Sequence, residues 1–353
     1  MRAFWATALA VVFVAGLFAP LANAQTAATK FEADLSWPKP LPEKWVLGGL
    51  GGLCVDAQDH VLILNRQDIL NGELNAGQLA PSIIEFDPAG NVVNSWGDPK
   101  LLDPRLHSCH FDKDGNVWIA SAPSGMVQKY THDGKRLLLQ IGKKGVLDSS
   151  DGTDKGKPLN SAAAKFFMPS SISVDRGNGD IYVSDGEGAG SNRRVAVLDR
   201  DGNFLRQWKI EDMQTVHCLN LGRDGMVYVC NRLGSELRVY NKMGNLKRTI
   251  ALPWTPVTPP KEGKAKESGG AVVAIDFSPD PQQRLIYVIN QNNSTIDIVE
   301  RESGKKIGSF GRAGSFPGEF QQAHGIAVDS KGNIYVDENR GRRVHKFRPL
   351  PSP

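Results

Sequence analysis

The chain has 353 residues, 40% of them hydrophobic and 23% charged, which is enough to bury a sizeable core in one large all-β domain or two smaller ones. Its formal charge of +4 is scattered along the sequence, which excludes the clustered basic face of a nucleic-acid binder. Its four cysteines include no C-x-x-C pair, which speaks against a cysteine zinc site.

Residues 1–24 read as a secretory signal peptide. Arg2 precedes an apolar run from Ala6 to Leu21, and Ala22-Asn23-Ala24 before Gln25 is a small-residue cleavage site. The run is short and broken by Pro20, so a membrane anchor is the weaker reading, and no other segment looks able to span a bilayer. The mature chain would carry a charge of +3 and be secreted or periplasmic, where disulfides persist.

From Gly51 one motif recurs. It reads GLCVDAQDHVLILNR from Gly51, HSCHFDKDGNVWIA from His107, SSISVDRGNGDIYVSD from Ser170, HCLNLGRDGMVYVCNR from His217, VAIDFSPDPQQRLIYVIN from Val273 and HGIAVDSKGNIYVDEN from His324. Alternating apolarity interrupted by Asp/Gly/Asn clusters predicts strand, tight turn, strand in each. In the last repeat Ser330, Lys331 and Gly332 form a three-residue loop that pairs Asp329 with Asn333, Gly332 supplying the positive φ. The same register sets His324 opposite Glu338.

Third strands follow (SIIEFD, VQKYT, RVAVLD, LRVYN, TIDIVE, RVHKF), and fourth strands follow in every repeat but the last, where only RPLPSP remains. Four-stranded repeats of roughly 40 to 50 residues predict an all-β, six-bladed β-propeller occupying residues 25–353 as one domain. The ring is expected to close by lending the last blade a strand from residues 31–37. Residues 143–167 and 252–270 are loops, the first expected to form a rim over a site and the second to be merely mobile.

Stacking the six repeats exposes the chemistry. The residues opening the innermost strands are Gly51, His107, Ser170, His217, Val273 and His324, so histidine occupies alternate blades. In a propeller these positions ring the channel, and three converging imidazoles with a position left open form the ligand set of a catalytic zinc. A single histidine at a strand end is ordinarily just a polar residue, but three at one repeat position are not. His60, His132 and His345 lie at turns or outer strands and read as ordinary polar residues, and His110 as core or interblade packing. Second strands end in Asn65 and Arg66, Ser121, Asp185, Asn231 and Arg232, Asn290, and Asp337 with Glu338, which are expected to flank the channel mouth. Arg66 and Arg232 are placed to hold a substrate carboxylate, the alternative for either being a neighbouring carboxylate of the chain.

These repeats resemble NHL-type propeller repeats. The alternate-blade histidines resemble those of the peptidyl-α-hydroxyglycine α-amidating lyases, which cleave hydroxyglycine-extended peptides to amides and glyoxylate. The matching pieces are RLHSCHFDKDGNVWIA, TVHCLNLGRDGMVYVCNR, QAHGIAVDSKGNIYVDEN, the LILNR that ends before Gln67, and IYVSDGEGAGSNRRVAVLDRDGNF. The resemblance implies that His107, His217 and His324 hold zinc and that Arg66 and Arg232 line the substrate site. Two positions depart from it. Glu187 stands where the family has a tyrosine taken as its base, and Gly325 where an aspartate helps bind a structural calcium, so calcium is not carried over.

Cys218 and Cys230 fall opposite each other on adjacent strands, which predicts a cross-strand disulfide, the alternative being two small buried hydrophobes. Cys54 and Cys109 read as buried, in an interblade contact. The resulting expectation is an exported zinc-dependent lyase of the carbon–nitrogen type. It would act on a small carboxylated hydroxy-substrate or peptide end, with Arg66 and Arg232 orienting it and Glu187 or metal-bound hydroxide as base. The alternative is a non-catalytic NHL scaffold that docks a protein or peptide. A calcium-dependent lactonase is disfavoured, because the blade-start positions lack carboxylates and amides. A small-molecule or peptide ligand is expected at the channel mouth, with no nucleic acid, no membrane after signal cleavage, and a monomeric chain.

Overall fold

Each repeat folds into a four-stranded antiparallel sheet, and six such sheets form the blades of a propeller. This computed structural model describes residues 1, 29–70, 72–188, 190–254 and 270–351. The expected signal peptide, apart from Met1, and residues 255–269 of the second expected loop lie outside them. The innermost strands are Leu50–Val55, Leu106–Phe111, Pro169–Val174, Val216–Leu221, Ile275–Phe277 and Ala323–Val328. Among the described residues no helix is long and apolar enough to cross a membrane.

Burial explains the strand patterns. Second strands such as Val61–Asn65, Val117–Ser121 and Ile181–Asp185 are buried along their whole length, because neighbouring blades cover both faces. The outer strand Val92–Trp96 instead alternates between half-buried and exposed, as a strand with one wet face should. The core is accordingly divided into six clusters, one per seam. Leu62, Leu64 and Ile83 of blade 1 meet Leu106, Val117 and Ile119 of blade 2, and Leu50, Ile63 and Phe86 of blade 1 meet Tyr335 and Val344 of blade 6. Phe31–Ala33 pairs antiparallel with Val344–Pro349 as the outer strand of blade 6.

One register differs from expectation. The loop at Asp329 forms as read, with Asp329 donating to the Asn333 carbonyl at 3.0 Å and Gly332 at φ +82°. Near the channel, however, Ala323 and not His324 faces Glu338. A β-bulge at this place accommodates His324 and Gly325 as the extra backbone. The same shift occurs between Leu50 and Gly52, Leu106 and Ser108, Pro169 and Ser171, and Val216 and Leu219. A bulge re-aims the residue it carries, and here that residue is the axial one.

Both cysteine pairs are disulfides. Cys218 joins Cys230 within blade 4 as expected, and Cys54 joins Cys109 across the seam between blades 1 and 2, where an interblade contact but no bond is expected from sequence.

Candidate metal centre and its carboxylate

The three bulged histidines meet on the axis. Their ring centroids are 4.9, 4.9 and 5.3 Å apart, each side chain is buried, and one ligand nitrogen from each lies within 4.8 Å of the others. His107 Nδ1 lies 2.6 Å from the Ser170 carbonyl and His217 Nδ1 2.7 Å from the Val273 carbonyl, each the axial residue of the next blade. A carbonyl can only accept, so in both rings Nδ1 carries a proton and Nε2 is the nitrogen turned to the axis. Those two Nε2 atoms, and Nδ1 of His324, are buried without a hydrogen-bond partner. Burial pushes His217 down to about 3, and burial with the Arg66 charge pushes His324 well below its ordinary value. Three buried imidazoles whose axial nitrogens have no hydrogen-bond partner are the donor set a zinc ion takes, binding it through the unprotonated nitrogens, so these residues fit the ion.

Blade 1 contributes to the axis by omission. A Cβ on Gly51 would lie 2.0 Å from the Leu106 carbonyl oxygen and 2.8 Å from Arg66 Nε. The missing side chain lets the Arg66 guanidinium reach across and donate to that same carbonyl at 3.1 Å. Gly325 is equally confined, since a Cβ there would stand 2.8 Å from Asp337 Oδ2 and 3.0 Å from the Gly52 Cα. A carboxylate side chain has no room at 325.

Glu187 is the fourth member of the cluster. Its Oε2 lies 3.3 Å from His217 Nε2 and 3.7 Å from His107 Nε2, while Oε1 accepts from Arg232 at 3.3 Å. Burial alone would raise this carboxyl, but His217, His107 and Arg232 together hold it well below its ordinary value. Arg232 also reaches the Gln291 side-chain oxygen at 3.4 Å.

The loop that presents Glu187 is tied down by the first long loop. The Asp185 carboxylate accepts from the Phe167 N–H at 2.8 Å, from Asn192 Nδ2 at 2.8 Å and from Arg194 Nε at 3.0 Å. Asn192 also donates to Asp148 at 2.9 Å, and Arg194 donates to the Ser161 and Lys165 carbonyls. The N–H groups of Gly186 and Glu187 both donate to the Met168 carbonyl at 3.0 Å. Residues 143–167 therefore brace the backbone that carries Glu187.

Most second-strand ends do not line the mouth. Asn65 holds the Gly48 N–H and the Ala80 carbonyl, Asn231 bonds Glu236, Asn290 bonds Asp297, and Glu338 bonds Arg343 and His345. Ser121, Asp185 and Asp337 are likewise fully buried. Among the described residues it is those one or two positions further on that act on the histidines, Glu187 by contact and Arg66 and Arg232 through their charge. Asp148, Asn192 and Arg194 have a structural role that no repeat position marks. Their signal was the Asn-Arg-Arg run closing the Gly-rich loop, which is unusual before a buried strand.

No family model matches the chain. It is 25% identical over 344 residues to NHL repeat-containing protein 3 of Homo sapiens, covering 91% of this chain and 85% of the human protein. It is 22% identical over 328 residues to a Caenorhabditis elegans protein named probable peptidyl-alpha-hydroxyglycine alpha-amidating lyase, covering 86% of this chain and 83% of that one. Among solved structures, a streptogramin B lyase superposes with a TM-score of 0.55 at 13% identity, covering 91% of this chain and 98% of the lyase. The fold is an NHL-type six-bladed propeller, and amidating lyase is among its distant relatives.

Proposed function

We propose that this NHL propeller is an exported zinc-dependent carbon–nitrogen lyase acting on a carboxylated hydroxy-substrate, such as a peptide ending in α-hydroxyglycine. The observation that carries the reading is the buried cluster of three orphaned imidazole nitrogens with an ionised carboxylate 3.3 to 3.7 Å from two of them. The signal-peptide pattern of residues 1–24 and the pairing of all four cysteines support export to an oxidising compartment.

His107, His217 and His324 would hold the zinc, which supplies Lewis-acid polarisation of a substrate oxygen. Arg66 binds and orients the substrate carboxylate. Glu187 Oε2 takes the proton from the substrate hydroxyl as the carbonyl forms and the C–N bond breaks, and passes it to the departing amide nitrogen, giving an amide and glyoxylate. Arg232 holds Glu187 in its ionised form. Incubating the zinc-loaded protein with an α-hydroxyglycine-extended peptide should release glyoxylate, and Glu187→Gln should slow release by about 10²–10⁴-fold with zinc content unchanged. Protein that carries no zinc after reconstitution and releases no glyoxylate would overturn the reading.

A second reading has its own observation. Arg232, a candidate for holding a substrate carboxylate, already holds Glu187 of its own chain. A non-catalytic scaffold, with its mouth closed by that pair, would bind zinc without turning over any hydroxyglycine peptide.

A further inference from the structure

A second cluster of ligand-type side chains lies in the seam between blades 1 and 2. It stands out when the blades are compared with one another. Asp56, Asp112, Asp175 and Asp329 all follow the innermost strand of their blade. Within each sheet Leu62 pairs with Glu85 as Trp118 pairs with Lys129 and Tyr335 with Lys346. In blade 2 the aspartate is neutralised, since Asp112 Oδ2 receives Lys129 at 2.9 Å and the Trp118 N–H at 3.1 Å. In blade 6 Asp329 Oδ2 accepts from Asn333 at 2.6 Å and from the Tyr335 hydroxyl at 3.2 Å. In blade 3 Lys242 from the next blade pairs with Asp175.

Blade 1 inverts this arrangement. Leu62 offers no donor, and the lysine position of blades 2 and 6 holds a carboxylate, Glu85. Two acids that are 7% and 3% exposed thus share one seam, and Asp56 Oδ2 is buried with no hydrogen-bond partner. Their neighbours are imidazoles. His132 Nε2, from blade 2, lies 3.0 Å from Glu85 Oε1 and 3.6 Å from Asp56 Oδ2, and His60 Nδ1 lies 2.8 Å from Glu85 Oε1. Ligands of tetrahedral zinc, at bonds of about 2.0–2.2 Å, stand roughly 3.3 Å from one another. Ligand atoms of Asp56, Glu85 and His132 all lie within 4.8 Å of each other.

We propose that Asp56, Glu85 and His132, with His60 beside them, bind a divalent transition cation, zinc in the first instance, that ties blade 1 to blade 2. The site is built beyond its ligands. Asp56 Oδ1 is fixed by the N–H groups of Gln58 and His60 at 2.8 Å each, which leaves Oδ2 for the ion. Asn94 donates to Glu85 Oε2 at 3.3 Å, and the His132 ring packs on Phe111 at 5.1 Å. Outer contacts of this kind orient metal ligands. The His132 side chain is 36% exposed, which provides the entry path. Mixed imidazole and carboxylate donors suit zinc and its neighbours better than calcium or magnesium.

The test is zinc stoichiometry by equilibrium dialysis and elemental analysis of the full mature chain. Glu85→Lys installs the lysine of blades 2 and 6, gives Asp56 a counter-ion without metal, and should preserve the fold. Wild type should bind about two zinc ions per chain and Glu85→Lys about one. The variant His107→Ala/His217→Ala/His324→Ala should keep the peripheral ion, and zinc should raise its Tm only while Glu85 is present. Loss of binding in the axial variant together with unchanged stoichiometry in Glu85→Lys would overturn the proposal and leave a histidine–carboxylate ion-pair cluster. Should Glu85→Lys fail to fold, His132→Gln at the exposed turn reads out the same loss. Because the two sites are removed separately, failure of one assignment does not obscure the other.

Discussion

At the axial positions a histidine or a glycine decides what occupies the centre of the ring. Gly51 admits the Arg66 guanidinium to the Leu106 carbonyl, so Gly51→Ala should push both away and cost about 1–3 kcal/mol in urea denaturation, with loss of substrate binding rather than of zinc. Asp337 gives a pH prediction. Its Oδ1 accepts from the Gly325 N–H at 2.7 Å, its Oδ2 is buried without a partner, and burial pushes it up to about 7. A carboxyl raised in the folded state binds its proton more tightly there than in the unfolded chain. Its contribution to stability is therefore complete below the unfolded value of about 4 and is lost as pH rises towards 7, with a slope near −1.4 kcal/mol per pH unit. Asp337→Asn should flatten the stability–pH curve across that window, and a curve parallel to wild type would show that the carboxyl titrates normally.

Single elements explain what the sequence revealed and what it hid. The six repeats and the alternate-blade histidines were legible because each is a local pattern repeated in register. The bulge that aims His324 was not, because it lies at the start of its strand, where too little alternation precedes it to show the change of phase. Polar second-strand ends were misplaced at the mouth because their partners, such as Asn192 and Arg194 for Asp185, come from the following loop. The meeting of Glu85 with His132 is hidden in the sequence because the two lie on different blades, although Glu85 in a lysine position is visible in the repeats themselves. The brace around Asp185 is testable. Arg194→Met leaves buried carboxylates without their cation, which should cost about 3–5 kcal/mol and open residues 143–167 to limited proteolysis, with lower Glu187-dependent turnover. The disulfides are tested by thiol titration of unfolded, unreduced protein. None should react, and Cys54→Ser/Cys109→Ser should lose about 2–4 kcal/mol, since the bond bridges a separation of 55 residues between blades.

On the scale of the whole molecule a propeller is a ring of seams, and its stability depends on the seam that local folding cannot make. Five seams join blades that follow one another in the chain, while the seam between blades 6 and 1 joins residues near both ends, with Tyr335 and Val344 against Leu50, Ile63 and Phe86. The N-terminal segment works on either side of blade 6. Phe31–Ala33 adds the outer strand of that blade, Phe31 packs on Tyr287 at 5.7 Å and Phe310 at 5.0 Å in blade 5, and Trp37 lies against Tyr335 at 4.9 Å and Phe86 at 5.5 Å. One short stretch thus supports two neighbouring seams, and removing it also bares the edge of Val344–Pro349. A chain shortened to begin at Lys39 should lose cooperative unfolding and elute as soluble aggregates in size-exclusion chromatography. Hydrogen exchange should then accelerate first in Ala323–Val328 and Ile334–Glu338 and last in blades 2 and 3. Uniform acceleration in all six blades would mean that the ring fails as one unit and that this segment is not its weakest point.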